Sequence, residues 1–256
     1  MARKKTIKKT RKIYWIVLST VLILGLYIGW QLWQQHIIKF VHYPGFGIDM
    51  PVGYALHGID VSKHQGSIWW PSVKAMKEKD IQIDYVFIKA TEGYTLTDKQ
   101  FSRNWKQAKE ENIRRGAYHF FVAGKDGKRQ AQHFLEKVSF QKGDLPPVLD
   151  IESLNGHSAE SVRKELDKWL AEVSKVCGCH PIIYSNADFY NRYLSGFYDD
   201  NPLWVAHYYE QRMPDVKDDW VFWQHNDKGK VDGIKESVDF NVFSGSEAAF
   251  KKLLIQ

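Results

Sequence analysis

Pro146-Pro147-Val148-Leu149-Asp150-Ile151-Glu152 is an apolar run that closes on two carboxylates. It reads as a buried strand whose last residues are Asp150 and Glu152. Side chains two positions apart on a strand share a face, so both acids point the same way. Hiding two ionisable acids on one face is costly unless they act there. Hydrolysis of a glycosidic bond asks for such a pair, one carboxyl to donate a proton and a second to stabilise a sugar cation. The alternative is a capped strand end or a salt-bridged pair.

Outward from this stretch, short apolar runs recur at 56–61, 85–90, 116–121, 147–151, 181–184, 203–206, 220–223 and 237–242, giving eight candidate strands. Helical segments are expected at 71–79, 99–111, 128–140 and 159–176. In the last of these Val162, Leu166, Trp169, Leu170 and Val173 repeat on one face and Ser158 is the expected N-cap. Strand and helix in alternation predict a parallel sheet. A further short helix fits 188–194, and beyond it the connections are rich in Asp, Gly and Pro. The predicted fold class is therefore α/β, an irregular TIM-like barrel of eight strands whose second half has few helices. Active groups of such a barrel gather at the C-terminal strand ends. The residues there are Asp60, Glu92, His119, Asp150 with Glu152, Ser185 with Asn186, His207 and Gln224, and Asp239 lies in the last run. A hairpin at 227–229 would make the last strand antiparallel and leave Asp239, near its start, on the same rim.

The amino terminus has a different character. Arg3, Lys4, Lys5, Lys8, Lys9, Arg11 and Lys12 form a basic tail over 1–12, followed by an uncharged stretch over 13–35. As a helix, its apolar heart of about 21 residues would span roughly 30 Å, the thickness of a bilayer core. Trp15, Tyr27, Trp30 and Trp33 lie toward its ends, where aromatic rings favour the interface. The segment is expected to be an uncleaved transmembrane signal-anchor, single-pass, with the basic tail in the cytoplasm and the rest outside. A cleaved signal peptide, and hence a secreted protein, is the alternative, but no small-x-small site follows Gly29. Residues 36–55, with Pro44, Gly45, Gly47, Pro51 and Gly53, read as a linker, and 56–256 as the barrel domain. The net charge of +6 comes from the tail: with its seven basic residues set aside, 29 basic face 30 acidic residues. No nucleic-acid partner is implied. Cys177 and Cys179 are too close for an easy disulfide and have no partners for a zinc site.

Several short motifs along the barrel domain resemble the family 25 glycoside hydrolases, lysozymes that cut between N-acetylmuramic acid and N-acetylglucosamine in peptidoglycan. They are His57-Gly58-Ile59-Asp60-Val61-Ser62 with His64-Gln65-Gly66, Phe87-Ile88-Lys89-Ala90-Thr91-Glu92-Gly93, and Gly116-Ala117-Tyr118-His119-Phe120-Phe121. Asp150-Ile151-Glu152, Trp223-Gln224 and Val238-Asp239-Phe240-Asn241 follow in order. The resemblance implies five strand-helix units followed by three strands, with Glu152 as general acid and Asp60, Asp150, Glu152 and Asp239 as the catalytic set. It also implies retention of configuration assisted by the substrate's 2-acetamido group. In that scheme Asp150 orients the acetamido while Asp60 and Asp239 set proton affinity around the pair. The amino-terminal anchor departs from the family's many secreted members.

For Glu152 to act as the acid, partial burial and neighbouring carboxylates are expected to raise its pKa. Tyr118, Tyr184 and Trp223 are expected to wall the site against sugar faces, with Gln224 beside them. Glu92 is either a substrate-binding residue or the ion-pair partner of Lys89. His119 and His207 read as neutral rim or core residues, so neither a metal nor a cofactor is expected. The expected partners are peptidoglycan glycan strands and, through the N-terminal helix, the membrane. Rival readings are a membrane-tethered glycan-binding module that does not cut, a hydrolase of chitin-like polymer, and an anchored structural protein of the cell envelope.

Overall fold

The structure is a computed structural model that describes residues 2–35, 38–209 and 212–256, with side chains of the first helix described over 14–30. The chain forms two units, the first dominated by helix α1 (Ala2–Gln35) and the second beginning at Phe40. Among the described residues no helix is long and apolar enough to cross a membrane, so the span expected over 13–35 is not shown. Residue 13 and residues 31–35 of that expected span lie outside the described side chains. What remains, 14–30, is uncharged and lies within the continuous helix Ala2–Gln35.

The expected linker is also corrected. Residues 36 and 37 lie outside the described residues, and from Phe40 the chain is an antiparallel hairpin, Phe40–Tyr43 with Ile48–Pro51. Gly47 takes the left-handed φ of 66° that its turn demands. Phe46 and Met50 are wholly buried, and the Phe46 ring lies 5.4 Å from that of Phe240 on the barrel. Proline and glycine marked the turn correctly, but the apolar residues around them make this segment part of the domain.

Eight strands close the barrel: β1 His57–Val61, β2 Tyr85–Glu92, β3 Arg114–Phe120, β4 Val148–Asp150, β5 Ile182–Asn186, β6 Leu203–Ala206, β7 Phe222–Gly229 and β8 Val238–Phe243. Neighbours from β1 to β7 are parallel. Strand β8 runs antiparallel to both β7 and β1 and forms the closing seam. The reversal falls after Gly229 rather than at 227–229, which belong to β7 itself. Helices α2 Trp70–Ala75, α3 Phe101–Glu110, α4 Gly127–Lys137, α5 Ala159–Cys177 and α6 Ala187–Tyr193 fill the first five crossovers. This is the expected series of five strand-helix units and three strands.

Helix α5 shows how the local sequence sets an element. The Ser158 hydroxyl accepts from the Ser161 N–H at 3.2 Å, Gly178 ends the helix at φ 69°, and the five apolar residues read from periodicity are the five that are buried. The carboxy-terminal helix α7 Glu247–Leu253, not foreseen, presses Phe250 against Tyr85 and Phe243 at ring distances of 5.4 and 5.0 Å.

The alternation of each strand positions the site. On β2 Tyr85 and Phe87 fill the barrel core, and Lys89, two residues further on, reaches the cavity above it. The same step takes β4 from Val148 to Asp150, β5 from Ile182 to Tyr184 and β7 from Phe222 to Gln224. Two glycines make room for the large rings. A Cβ on Gly58 would lie 2.3 Å from the Tyr85 ring, and one on Gly116 would lie 2.6 Å from Phe87. The core is thus aromatic below and polar above.

Candidate active site

A cavity of about 410 Å³ opens over this polar layer, at the C-terminal ends of the parallel strands and the N-terminal end of β8. Asp60, Asp150, Glu152 and Asp239 all line it, together with Lys89, Tyr118, Tyr184, Tyr208 and Gln224. Asp60 and Asp239 are register partners across the β8–β1 seam.

Asp60 is buried and its Oδ2 accepts two side-chain amides, Gln224 Nε2 at 2.7 Å and Asn241 Nδ2 at 2.8 Å. Behind them, the Tyr184 and Tyr208 hydroxyls both donate to Gln224 Oε1 at 2.6 Å, and Trp204 Nε1 donates to Asn241 Oδ1 at 2.7 Å. Burial and the charge of Asp239 raise the Asp60 pKa well above the carboxylate range, against the opposing pull of the two amides. Burial, then the charge of Asp227, lift Asp239 to about 6. Two like charges held this close in a dry site favour keeping one proton between them.

Asp150 ends β4, and its neighbours on the chain fix it: Phe121 N–H donates to its carbonyl at 2.8 Å, and Ile151 N–H donates to Tyr184 O at 3.0 Å. Its carboxyl is buried, and Oδ1 has no hydrogen-bond partner. Burial raises its pKa well above normal, with the charge of Glu152 and a hydrogen bond to Glu152 adding to the rise while Lys89 opposes it. Glu152 lies just past the strand end and is exposed to the cleft. The expected partial burial of Glu152 is therefore corrected: the strand stops at Asp150, and burial falls on Asp150 instead. Lys89 is ion-paired to Glu92 at 2.7 Å and sits 4.6 Å over the Phe120 ring.

Residues 59–234 match the family described as Glycosyl hydrolases family 25. The chain belongs to that family. It is a glycoside hydrolase of the lysozyme group. It is 46% identical over 217 residues to Uncharacterized protein YegX of Escherichia coli O157:H7, covering 82% of this chain and 80% of the relative. It is 35% identical over 208 residues to Lysozyme M1 of Streptomyces globisporus, covering 75% and 69%. A family 25 glycosyl hydrolase structure from Bacillus anthracis superposes with a TM-score of 0.72 at 34% identity, covering 78% of this chain and 93% of that one.

In this family 25 hydrolase the four acids expected to act together are brought together, and so are Tyr118, Tyr184 and Gln224. Trp223 is not a wall residue. Phe222 and Gln224 face inward, so Trp223 between them must face out, where it is buried against Phe40, Tyr54 and Trp220. Glu92 lies outside the cavity wall and reaches the site through its ion pair with Lys89. His119 is buried in the helix layer, bonded to Thr91 at 2.7 Å, stacked on Trp169 and pushed down to about 3 by burial. His207 holds Trp223 Nε1 through its carbonyl at 2.8 Å. Among the described residues no three His, Cys, Asp or Glu side chains are grouped to hold a metal ion. Cys177 and Cys179 are free thiols at the end of α5.

Sequence reasoning passed over Lys89, Asn241 and Asp227 as site residues. Lys89 had a signal in the alternation Tyr85, Phe87, Lys89, and Asn241 had one in its two-residue spacing from Asp239. Asp227 had none, because it lies within the second register shift of β7, between Asn226 and Gly229.

Proposed function

We propose that this enzyme cleaves the β-1,4 bond between N-acetylmuramic acid and N-acetylglucosamine in peptidoglycan, with Glu152 as proton donor and retention of configuration. The observation that carries this reading is a buried Asp150 Oδ1 without a partner, next to an exposed Glu152, on one cleft wall. A substrate acetamido N–H would supply the missing donor. Its oxygen is then aimed at the anomeric carbon, closing an oxazolinium ring as Glu152 protonates the leaving oxygen. The N–H and the growing positive charge favour ionised Asp150, and its proton passes to Glu152 through the hydrogen bond they share. Water entering from the leaving-group side adds to the anomeric carbon and breaks its bond to the acetamido oxygen, while its proton goes to Glu152 and back to Asp150, which restores the starting state.

The test is the full-length protein with purified peptidoglycan, counting new reducing ends and following the first-formed anomer by NMR. Cleavage with a β-configured early product is expected, and Glu152→Gln, folded as judged by its melting curve, should lose it. Binding without new reducing ends would make the chain a glycan-binding module. Faster cleavage of a chitin-like polymer would reassign the substrate, and an inverted product would remove the acetamido step.

We further propose that the N-terminal helix holds the enzyme at a membrane with its barrel outside the cytoplasm. Support comes from the order of charge, seven basic residues in 1–12 and none over 13–35, and from one continuous helix over Ala2–Gln35. The protein should sediment with membranes and resist alkaline extraction, and its barrel should be accessible to protease added from outside. Release by alkali would reduce the helix to a surface attachment, and appearance in the medium shorter by about 30 residues would restore the cleaved-signal reading.

A further inference from the structure

Two carboxamides bind the same oxygen of Asp60, and Asn241 is not free to turn over. An indole N–H only donates, so Trp204 fixes Asn241 with its carbonyl toward the ring and its NH₂ toward Asp60. On the other side, Gln224 Nε2 donates to the same oxygen while its Oε1 accepts two tyrosine hydroxyls. An Asn or Gln amide is otherwise nearly symmetric in shape, and its orientation is set only by such partners. Asp60 Oδ2 therefore receives two N–H bonds and is held as the unprotonated oxygen. Any proton shared across the seam with Asp239 is confined to the other oxygen, Oδ1.

We infer that Trp204 and Asn241, with Gln224 and its two tyrosines, are positioning residues that fix which oxygen of the Asp60–Asp239 pair carries the proton. Trp204 acts only through Asn241. It touches Asp60 by no hydrogen bond of its own, and its ring is stacked at 4.3 Å on Phe87. This deepens the proposed hydrolase reading, on which its catalytic consequence rests: a proton pinned at the seam keeps that side of the cleft one charge less negative beside Glu152. The charge state of the pair itself does not depend on any substrate. Asp60 is faced by Asp239 and, through it, Asp227 at the seam, and by Asp150 and Glu152 across the cleft. Around it stand Tyr85, Tyr118, Tyr184 and Tyr208, with Lys89 and His64 on the same cavity wall.

The test is a carboxyl NMR titration of the full chain labelled at aspartate ¹³Cγ, run beside the pH profile of kcat/KM on peptidoglycan. A hydrogen bond to a carboxylate favours its ionised form, so Asn241→Leu should raise the apparent pKa of the pair by about one unit. Trp204→Phe keeps a ring but removes the donor, and it should shift the pair in the same direction by less. The double variant should shift no further than Asn241→Leu alone, since Trp204 has nothing to act through. An additive double variant, or no shift with Asn241→Leu, overturns the inference. Where Trp204→Phe does not fold, Gln224→Leu takes its place, and it must shift the pair upward independently of Asn241→Leu. The titration is read without substrate, so a chain that cuts no peptidoglycan still decides this point, and a chain that cuts it without the shifts refutes only this point.

Discussion

Replacing Asp150 with Asn should stabilise the fold while removing activity. The parent carboxyl is buried with one oxygen unpartnered, and burial raises its pKa well above normal. Its unfolded pKa is near 3.9, so between that value and the raised folded pKa the folded state binds more protons than the unfolded chain. The contribution of this group to stability is thus fully present below about pH 3.9 and is lost as pH rises through the folded pKa. Each unit of elevation costs about 1.4 kcal/mol at pH 7. For a barrel unit of this size, 1 kcal/mol moves Tm by about 2–4 °C. Asp150→Asn should therefore raise Tm at pH 7 by about 3–6 °C for each unit of that elevation, with the gain shrinking toward zero near pH 4. The same variant cannot hold a negative charge against the oxazolinium and should lose about 100-fold or more in kcat. Thermal melts from pH 4 to 8 beside a reducing-end assay give both numbers. A variant less stable than the parent at pH 7, or a Tm gain that does not change with pH, would refute the reasoning.

Lys89→Met removes the cation that opposes protonation of Asp150, so the acid limb of the kcat/KM profile should move up by roughly one pH unit; an unmoved limb would leave Lys89 a packing residue. Phe46→Ala should cost about 3–5 kcal/mol in denaturant melts, whereas a true linker residue would cost less than about 0.5 kcal/mol. Gly58→Ala would place a methyl 2.3 Å from the Tyr85 ring, so it should fold poorly or not at all, and Gly58→Ala with Tyr85→Leu should recover soluble protein.

The strand order was legible because each barrel strand is a short apolar run, and in the first five units a helical period separates it from the next. Val148 and Leu149 after two prolines, or Phe87 and Ile88 after Tyr85, could hardly be anything else. The four acids were legible for the same reason, since an acid at the end of such a run sits where the core meets the cleft. The errors have physical causes too. Trp223 and Gln224 were both assigned to the site, although adjacent residues on a strand face opposite ways, and the polar one took the cleft. Glu152 was read as sharing the strand with Asp150, but β4 ends one residue after Leu149, and beyond a strand end alternation no longer decides exposure. The hairpin before the barrel was hidden because Pro44, Gly45 and Gly47 signal a turn without revealing what the flanking Phe40 and Met50 pack against.

The seam where β8 meets β1 has a further consequence. Asp60 and Asp239 sit opposite one another on rungs that also shut the cylinder, so their spacing is set by the backbone ladder and not by any loop. Lengthening or trading the loops above can change which polymer is gripped without disturbing how the proton is held. A rearranged chain with new ends cut between these two strands would forfeit both at once.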